Sequence, residues 1–194
     1  FTCFGNQHND IACNPYVPAG ISFPYVQDEA VQQEARDTIQ SILTKLGMRV
    51  GALNIEYLTD SSGRVYILEI GPRNGGNLIP EVTKHITGVD MVKYTVDAAL
   101  GLDCSDLKMQ PPVGYYASYI MHAQADGVVE RFECSEEIKK CIVEEVRWCK
   151  EGAEVKMFNG SNCTLGTQIL KFESQEQMLR LMDNMNDYQK IILR

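Results

Sequence analysis

The stretch Ala52-Leu-Asn-Ile-Glu56, followed by Leu68-Glu-Ile-Gly-Pro-Arg-Asn-Gly-Gly76, decides the interpretation of this chain. Apolar runs over 50–58 and 65–70 flank the turn sequence Asp60-Ser-Ser-Gly63, and this order predicts an antiparallel hairpin. A glycine-rich loop follows the second strand, and a helical pattern follows the loop. The sequence therefore predicts two strands, a loop and a helix in direct succession.

The register of this hairpin determines where its two acidic residues lie. If a two- or four-residue loop joins the strands, Glu56 pairs with Ile67. Side-chain alternation then places Asn54, Glu56 and Glu69 on one face. The two glutamates become diagonal neighbours, roughly 7–8 Å apart at the backbone. A register slip of two residues would set them directly opposite one another, and a slip of one would separate them.

Two acidic side chains on one face of an apolar hairpin are costly without a counter-charge. Since the neighbouring side chains are aliphatic, a cation is a natural partner for Glu56 and Glu69. Carboxylate oxygens suit Mg²⁺ or Mn²⁺, with nucleotide phosphates as further ligands. A solvent-exposed outer face of the hairpin would explain both acids equally well. The residues alone do not decide between the two interpretations.

The glycine-rich loop adds groups that bind phosphate. Glycines allow backbone N–H groups to approach an anion closely, and the Arg73 guanidinium can bind phosphate through two nitrogens. We expect the nucleotide to contact Gly75, Gly76, Asn77 and Asn54. Carboxylates, an arginine and a glycine-rich loop together suggest phosphoryl transfer, although the loop could also be an ordinary turn.

The composition narrows the class of protein. The chain has 194 residues, 44% of them hydrophobic, with 18 Lys+Arg against 26 Asp+Glu and a net charge of −8. This acidic balance argues against nonspecific nucleic-acid or anionic-lipid binding. The seven cysteines are odd in number and form no CxxC pair, so a reduced cytoplasmic setting is expected. The sequence contains no apolar run of about 18 residues, the length that a membrane span would need. Because the sequence starts at Phe1, we expect it to be part of a longer polypeptide.

Sequence patterns divide the chain near Gln110-Pro-Pro112. We predict a first domain over 1–110 and a second, smaller α+β domain over 111–194. Residues 1–27 are rich in turn formers and suggest an irregular hairpin or loop. The remaining predicted elements are helices over 28–46, 79–86, 90–100, 135–140 and 174–186, and strands over 115–122, 128–132 and 164–172.

The run from Leu46 to Gly101 resembles the carboxy-terminal ATP-binding lobe of the ATP-grasp superfamily. Its motifs are a helix ending in Leu-Gly, a G-x-x-N-I-E strand, a G-x-V-Y-x-L-E-I-x-P-R-x-G-G segment and an I-T-G-V-D turn. The resemblance covers about residues 28–107, and residues after 110 are more loosely similar to the small domain that follows such lobes. It implies an α+β fold with an antiparallel sheet, flanking helices and a small α+β carboxy-terminal subdomain.

The resemblance also implies roles for particular residues. Glu56 and Glu69 match the metal-binding acids, and Arg73 matches the arginine that steadies the transferred phosphoryl group. Most family members carry Asn as a third metal ligand where this sequence has Gly71. Asn74 or Asn77 could compensate from the loop. Some ligases acting on amino acids are also altered at this position.

The implied activity is ATP-dependent, with Mg²⁺ or Mn²⁺, and joins a small carboxylate to an amine through an acyl-phosphate. A carboxylase or an enzyme similar to carbamoyl-phosphate synthase is the alternative within the superfamily. A non-catalytic nucleotide-binding or scaffold module is the alternative outside it. The adenine contacts, phosphate-gripping lysine and lid of the superfamily would lie in lobes upstream, so the chain alone is expected to be inactive. A homodimer is a further possibility.

Three other basic positions have ordinary structural interpretations. His85 is expected to interact with the end of its helix, and Lys84 to be solvated. His122 is expected to be a hydrogen-bonded core histidine. His8 lies among loop residues and could reach substrate or lid in the complete enzyme.

Overall fold

The chain passes back and forth between two units in a computed structural model that describes all 194 residues. One unit comprises Phe1–Phe4 and Tyr25–Pro112, and the other comprises Gly5–Pro24 and Val113–Arg194. The break at Pro112 lies close to the predicted boundary at 110. Residues 5–24, however, lie with the carboxy-terminal unit rather than with the first domain, because their strands pair with a strand that follows Pro112.

The helices and strands alternate along most of the chain. In chain order they are β1 (Asn6–Asn9), β2 (Pro18–Phe23), α1 (Glu29–Lys45), β3 (Asn54–Thr59), β4 (Val65–Gly71), α2 (Ile79–Thr87), α3 (Met91–Ala99), β5 (Tyr115–Met121), β6 (Gly127–Cys134), α4 (Glu136–Cys141), β7 (Ile142–Arg147), β8 (Glu154–Val155), β9 (Gly166–Phe172), α5 (Gln175–Asp183), α6 (Met185–Tyr188) and β10 (Gln189–Leu193). No helix is both long and apolar enough to cross a membrane.

Helix α1 is amphipathic and packs on the β3–β4 hairpin. Its buried residues are Ala35 and Ile39, four positions apart on one helical face. Glu34 accepts a hydrogen bond from the Val65 backbone N–H at 3.1 Å, which ties the helix to β4. Asp28 is the N-cap residue, as predicted, but its side chain makes no capping hydrogen bond.

The turn of the β3–β4 hairpin is organised by Asp60. Its Oδ1 accepts hydrogen bonds from the backbone N–H groups of Ser62 (2.9 Å) and Arg64 (3.1 Å). These bonds and one from the Ser62 hydroxyl lower the pKa of the Asp60 carboxyl to about 2. Gly63 has φ +83°, a backbone conformation in which a residue with a side chain would be strained. The turn predicted at 60–63 is therefore present.

The carboxy-terminal unit is built on a five-stranded antiparallel sheet with the order β1-β2-β5-β9-β7. Strands β10, β6 and β8 form a second sheet. Helix α5 covers the main core, in which Leu170 of β9 meets Met178 and Leu181 of the helix. The helix begins at Ser174, whose hydroxyl accepts the Gln177 backbone N–H at 3.1 Å, as its sequence predicts.

Candidate functional site

Glu56 and Glu69 lie directly opposite one another on β3 and β4. The predicted pairing of Glu56 with Ile67 is wrong for two reasons. Thr59 pairs with Val65 rather than with Arg64, and the register shifts by one further residue between Glu56 and Tyr57. Tyr57 pairs with Ile67, so Leu68 is the additional residue of a β-bulge. The offset of one residue at the turn and the one-residue bulge together give the shift of two that sets the acids opposite each other.

Opposed residues in an antiparallel pair have Cβ atoms about 4.5–5.5 Å apart, and like charges there repel. Glu56 is half-buried and Glu69 is exposed. Neither carboxylate forms an ion pair with a cationic side chain. The chain itself therefore leaves both charges without a cationic partner at opposed strand positions.

Gly75 lies where the glycine-rich loop approaches strand β3. A Cβ added at Gly75 would lie 2.8 Å from Ile79 Cδ1 and 3.0 Å from Asn54 Oδ1, so only glycine fits without displacing a neighbour. The same atom added at Gly76 would meet nothing within 4 Å. Asn54 and Gly75, both predicted to contact the nucleotide, are therefore adjacent, and Gly76 is exposed.

Gly71 ends β4 opposite Asn54. A Cβ at Gly71 would lie 3.5 Å from the Asn54 carbonyl oxygen and 3.7 Å from Arg73 Nε, both ordinary contacts. A side chain at position 71 is therefore sterically acceptable. Asn74, the candidate for a compensating ligand, is tied to α3, because its Nδ2 donates to Thr95 Oγ1 at 2.8 Å. This bond does not engage its Oδ1, which is the atom that would bind a metal.

Arg73 is exposed on the loop. Its backbone N–H donates to the Gly71 carbonyl at 2.8 Å, and its Nη1 donates to the Asn74 carbonyl at 2.9 Å. The side chain forms no ion pair. Since a guanidinium has five N–H donors, most of them stay available to an anion.

The loop ends in two strained residues. Asn77 (φ 51°) and Leu78 (φ 62°) are both left-handed, and non-glycine residues in this region cost on the order of 1–3 kcal/mol each. Leu78 is the N-cap residue of α2, which is anchored by the buried Val82 and Ile86. Consecutive strained residues at one helix start are typical of a functional loop.

The other basic residues have structural roles. Lys84 is exposed and forms an ion pair with Asp90 at 2.7 Å. Asp90 also caps α3 by accepting the Lys93 backbone N–H at 2.9 Å. His85 is exposed near the end of α2. His122 is buried and hydrogen-bonded, as predicted for a core histidine.

His8 lies on β1 rather than in a loop, within the carboxy-terminal unit. Its Nδ1 lies 2.7 Å from Asp183 Oδ1 and its Nε2 lies 2.8 Å from Ser22 Oγ. Burial lowers the pKa of His8 below its ordinary value, against the opposing effect of Asp183. The arrangement resembles a hydrolase triad, but the exposed fraction of Ser22 is 0%. No substrate could reach that hydroxyl, so these residues tie β1 and β2 to α5.

Comparison with known proteins shows what part of this chain is similar to. Residues 24–107 match the model of the carbamoyl-phosphate synthase L chain, ATP binding domain. The fold is similar to an L-amino acid ligase from Bacillus licheniformis (TM-score 0.79, 21% identity, 92% of this chain and 45% of that one). It is also similar to phosphoribosylglycinamide synthetase from Anaerococcus prevotii (TM-score 0.75, 20% identity, 98% and 48%).

A third similar structure is the biotin carboxylase domain of the Hydrogenobacter thermophilus 2-oxoglutarate carboxylase, a dimer in complex with MgADP, ADP and bicarbonate (TM-score 0.63, 19% identity, 91% and 39%). An uncharacterized protein, y4rH of Sinorhizobium fredii, is 29% identical over 110 residues, which are 57% of this chain and 22% of that protein. The chain therefore spans about half the length of its structural relatives, or less. The ATP-grasp resemblance and the α+β fold are confirmed.

Proposed function

We propose that this chain, which carries an ATP-grasp ATP-binding segment over residues 24–107, is part of an ATP-dependent ligase that joins a carboxylate to an amine through an acyl-phosphate. The observation that carries the proposal is the direct opposition of Glu56 and Glu69 beside the open loop of Arg73. Both acids and the arginine lie in one unit and have no ionic partner of their own.

Glu56 and Glu69 would hold Mg²⁺ between their carboxylates. Their oxygen donors fit the ion, because hard cations of this size prefer carboxylates and keep phosphate oxygens as further ligands. Bound there, Mg²⁺ supplies charge neutralisation on the transferred phosphoryl group. The protein's contribution is the register of β3 and β4, which fixes the two carboxylates on a rigid hairpin. Mn²⁺ would suit the same oxygens.

Arg73 would stabilise the charge that develops on the transferred group. Its guanidinium has free donors, and its backbone is held by the Gly71 carbonyl. The Gly76 backbone and the neighbouring Asn77 and Asn54 would contact the phosphates, while Gly75 keeps the loop close to β3. Donors that are fixed before reaction cost no reorganisation during it.

Gly71 supports the amino-acid or peptide ligase subclass, since this position departs from the usual asparagine and some ligases acting on amino acids are altered there. The alternative subclass is a carboxylase or a carbamoyl-phosphate-synthase-like enzyme. A non-catalytic module is the alternative outside catalysis, and Gly71 would then mark a weakened metal site. Screening the complete polypeptide for ATP consumption against pooled amino acids, small carboxylates and bicarbonate distinguishes the three.

The remaining parts of the proposal concern the whole protein. Upstream lobes of the same polypeptide would supply the adenine contacts, the lysine and the lid. The whole protein would form a homodimer and lie in the cytoplasm. The dimeric biotin carboxylase domain among the structural relatives supports the first of these, and the seven unpaired cysteines support the second.

The test of the site is the Glu69→Gln variant of the complete polypeptide. Loss of the charge opposite Glu56 is expected to abolish metal-dependent ATP turnover while the fold is retained, and Glu56→Gln is expected to weaken metal dependence more mildly. Glu151→Gln is a matched control, since Glu151 is an exposed acid in the other unit. Wild-type turnover in Glu69→Gln would show that the assignment is wrong.

A further inference from the structure

Three ligand atoms of different chemistry converge in the carboxy-terminal unit, whereas the carboxylate pair belongs to the other unit. The atoms belong to Asp10, Cys13 and His122 and all lie within 4.8 Å of one another. Asp10 Oδ2 is 2.9 Å from His122 Nε2 and 3.3 Å from Cys13 Sγ. Asp10 and His122 are buried, and Cys13 is half-buried.

The two buried ligands are held in place by the surrounding backbone. His122 Nδ1 donates to the Ile120 carbonyl at 2.7 Å, which fixes the ring and directs Nε2 toward Asp10. Asp10 Oδ1 accepts the Ala12 backbone N–H at 3.0 Å, which directs Oδ2 toward His122. A metal-binding histidine usually donates the N–H of its other ring nitrogen to a carboxylate, a backbone carbonyl or water.

Asp10 Oδ2 also faces more donors than one oxygen can accept well. Besides His122 and Cys13, the side-chain amides of Gln124 (3.3 Å) and Asn186 (2.9 Å) point at it. A carboxylate oxygen offers about two lone-pair directions, so four donors crowd it. Five groups capable of ligation therefore surround one small volume.

We propose that Asp10, Cys13 and His122 form a zinc site. Carboxylate oxygen, thiolate sulfur and imidazole nitrogen are the three donor types that Zn²⁺ takes in proteins. When the Asp10 carboxylate and the Cys13 thiolate are ionised and the His122 imidazole is neutral, the two negative charges equal the charge of Zn²⁺. The buried site with zinc bound is therefore neutral. A half-turn of the Gln124 or Asn186 amide would bring a carbonyl oxygen to the fourth position.

Two of the three spacings are close to those of a zinc site, and the third, between Cys13 Sγ and His122 Nε2, is at most 4.8 Å. Tetrahedral ligands about 2.0–2.3 Å from zinc lie roughly 3.3–3.6 Å apart. The Asp10–Cys13 distance of 3.3 Å already matches, and the Asp10–His122 distance of 2.9 Å needs to open slightly. Cys13 is the ligand with room to move, because it lies on a half-buried turn beyond β1.

Cobalt binding tests the proposal without any enzymatic readout. The full chain is stripped with a chelator and titrated with Co²⁺ in excess Mg²⁺, which occupies any oxygen-only site at Glu56 and Glu69. We expect one equivalent of Co²⁺ to bind with intense visible bands of tetrahedral geometry and a near-ultraviolet sulfur-to-cobalt band, all displaced by Zn²⁺.

The Cys13→Ser variant keeps the Asp10–His122 contact, and circular dichroism checks its fold. It is expected to lose the sulfur band and at least about tenfold in Co²⁺ affinity. Cys149→Ser is the control, because Cys149 is not one of the three clustered ligands and its thiol hydrogen-bonds to the neighbouring Lys150 carbonyl, and it should bind as the wild type does. Absence of the sulfur band in wild type, or its persistence in Cys13→Ser, would overturn the zinc site.

Discussion

Gly75 and Gly76 are adjacent and equivalent in sequence, yet the structure predicts opposite effects of alanine at the two positions. At Gly75 the new methyl group would lie 2.8 Å from Ile79 Cδ1 and 3.0 Å from both Ile79 Cβ and Asn54 Oδ1. The Asn54 and Cδ1 atoms can rotate away, but Cβ is fixed by helix α2. Overpacking of this kind costs about 1–3 kcal/mol. For a chain of this size the loss corresponds to roughly 2–12 °C in Tm.

Gly76→Ala is the matched control. The added methyl group meets nothing within 4 Å, and Gly76 does not have the positive φ that penalises alanine. Its Tm should stay unchanged or rise by the equivalent of up to about 1 kcal/mol, since alanine restricts the unfolded chain. Thermal unfolding of both purified variants by circular dichroism measures the difference. Equal Tm shifts in the two variants would refute the close approach of Gly75 to Ile79.

Three further predictions concern the site. Arg73→Ala should lower the turnover of the complete polypeptide by two or more decades, with little change in nucleotide affinity. Each decade corresponds to about 1.4 kcal/mol of activation barrier. A large loss of affinity at constant turnover would instead assign Arg73 to ground-state binding. Gly71→Asn should tighten Mn²⁺ binding, measured by electron paramagnetic resonance, by roughly tenfold, or 1.4 kcal/mol, and an unchanged affinity would mean that a side chain there does not reach the ion. The chain alone should bind MgATP no better than millimolar, about −4 kcal/mol; micromolar binding by calorimetry would contradict a half-site.

The elements around the site were predictable because local signals agree there. The turn at Asp60 to Gly63, the alternation before it and the helical periodicity of α1 each act within a few residues. Gly88, which ends α2 at φ +75°, is a local signal of the same kind. The observed bounds of these elements differ from the predicted ones mainly at β3. This strand starts at Asn54 rather than near residue 50, and Gly51, with φ +131°, lies before it.

Features that depend on distant partners were not predictable. The bulge at Leu68 brings Glu69 opposite Glu56, and nothing in the turn length specifies an extra residue. Strands β1 and β2 form an irregular hairpin, one of the two forms predicted for residues 1–27, but its pairing with β5 was not predictable from the turn-forming residues around it. Strand β7 has an acidic, exposed sequence and is held by pairing to β9. The contact between Asp10 and His122 joins residues 112 positions apart.

The division of the chain has a consequence for its synthesis on the ribosome. Phe23 of β2 pairs with Tyr116 of β5, so about 90 residues must be translated before the partner strand exists. At common elongation rates this takes roughly 5–20 s. Until then β1 and β2 form a two-stranded ribbon, too small to be stable alone, with an unpaired edge. The nascent chain therefore completes residues 25–112 before the β1–β2 hairpin can join its sheet, because the other strands of that sheet are translated after Pro112.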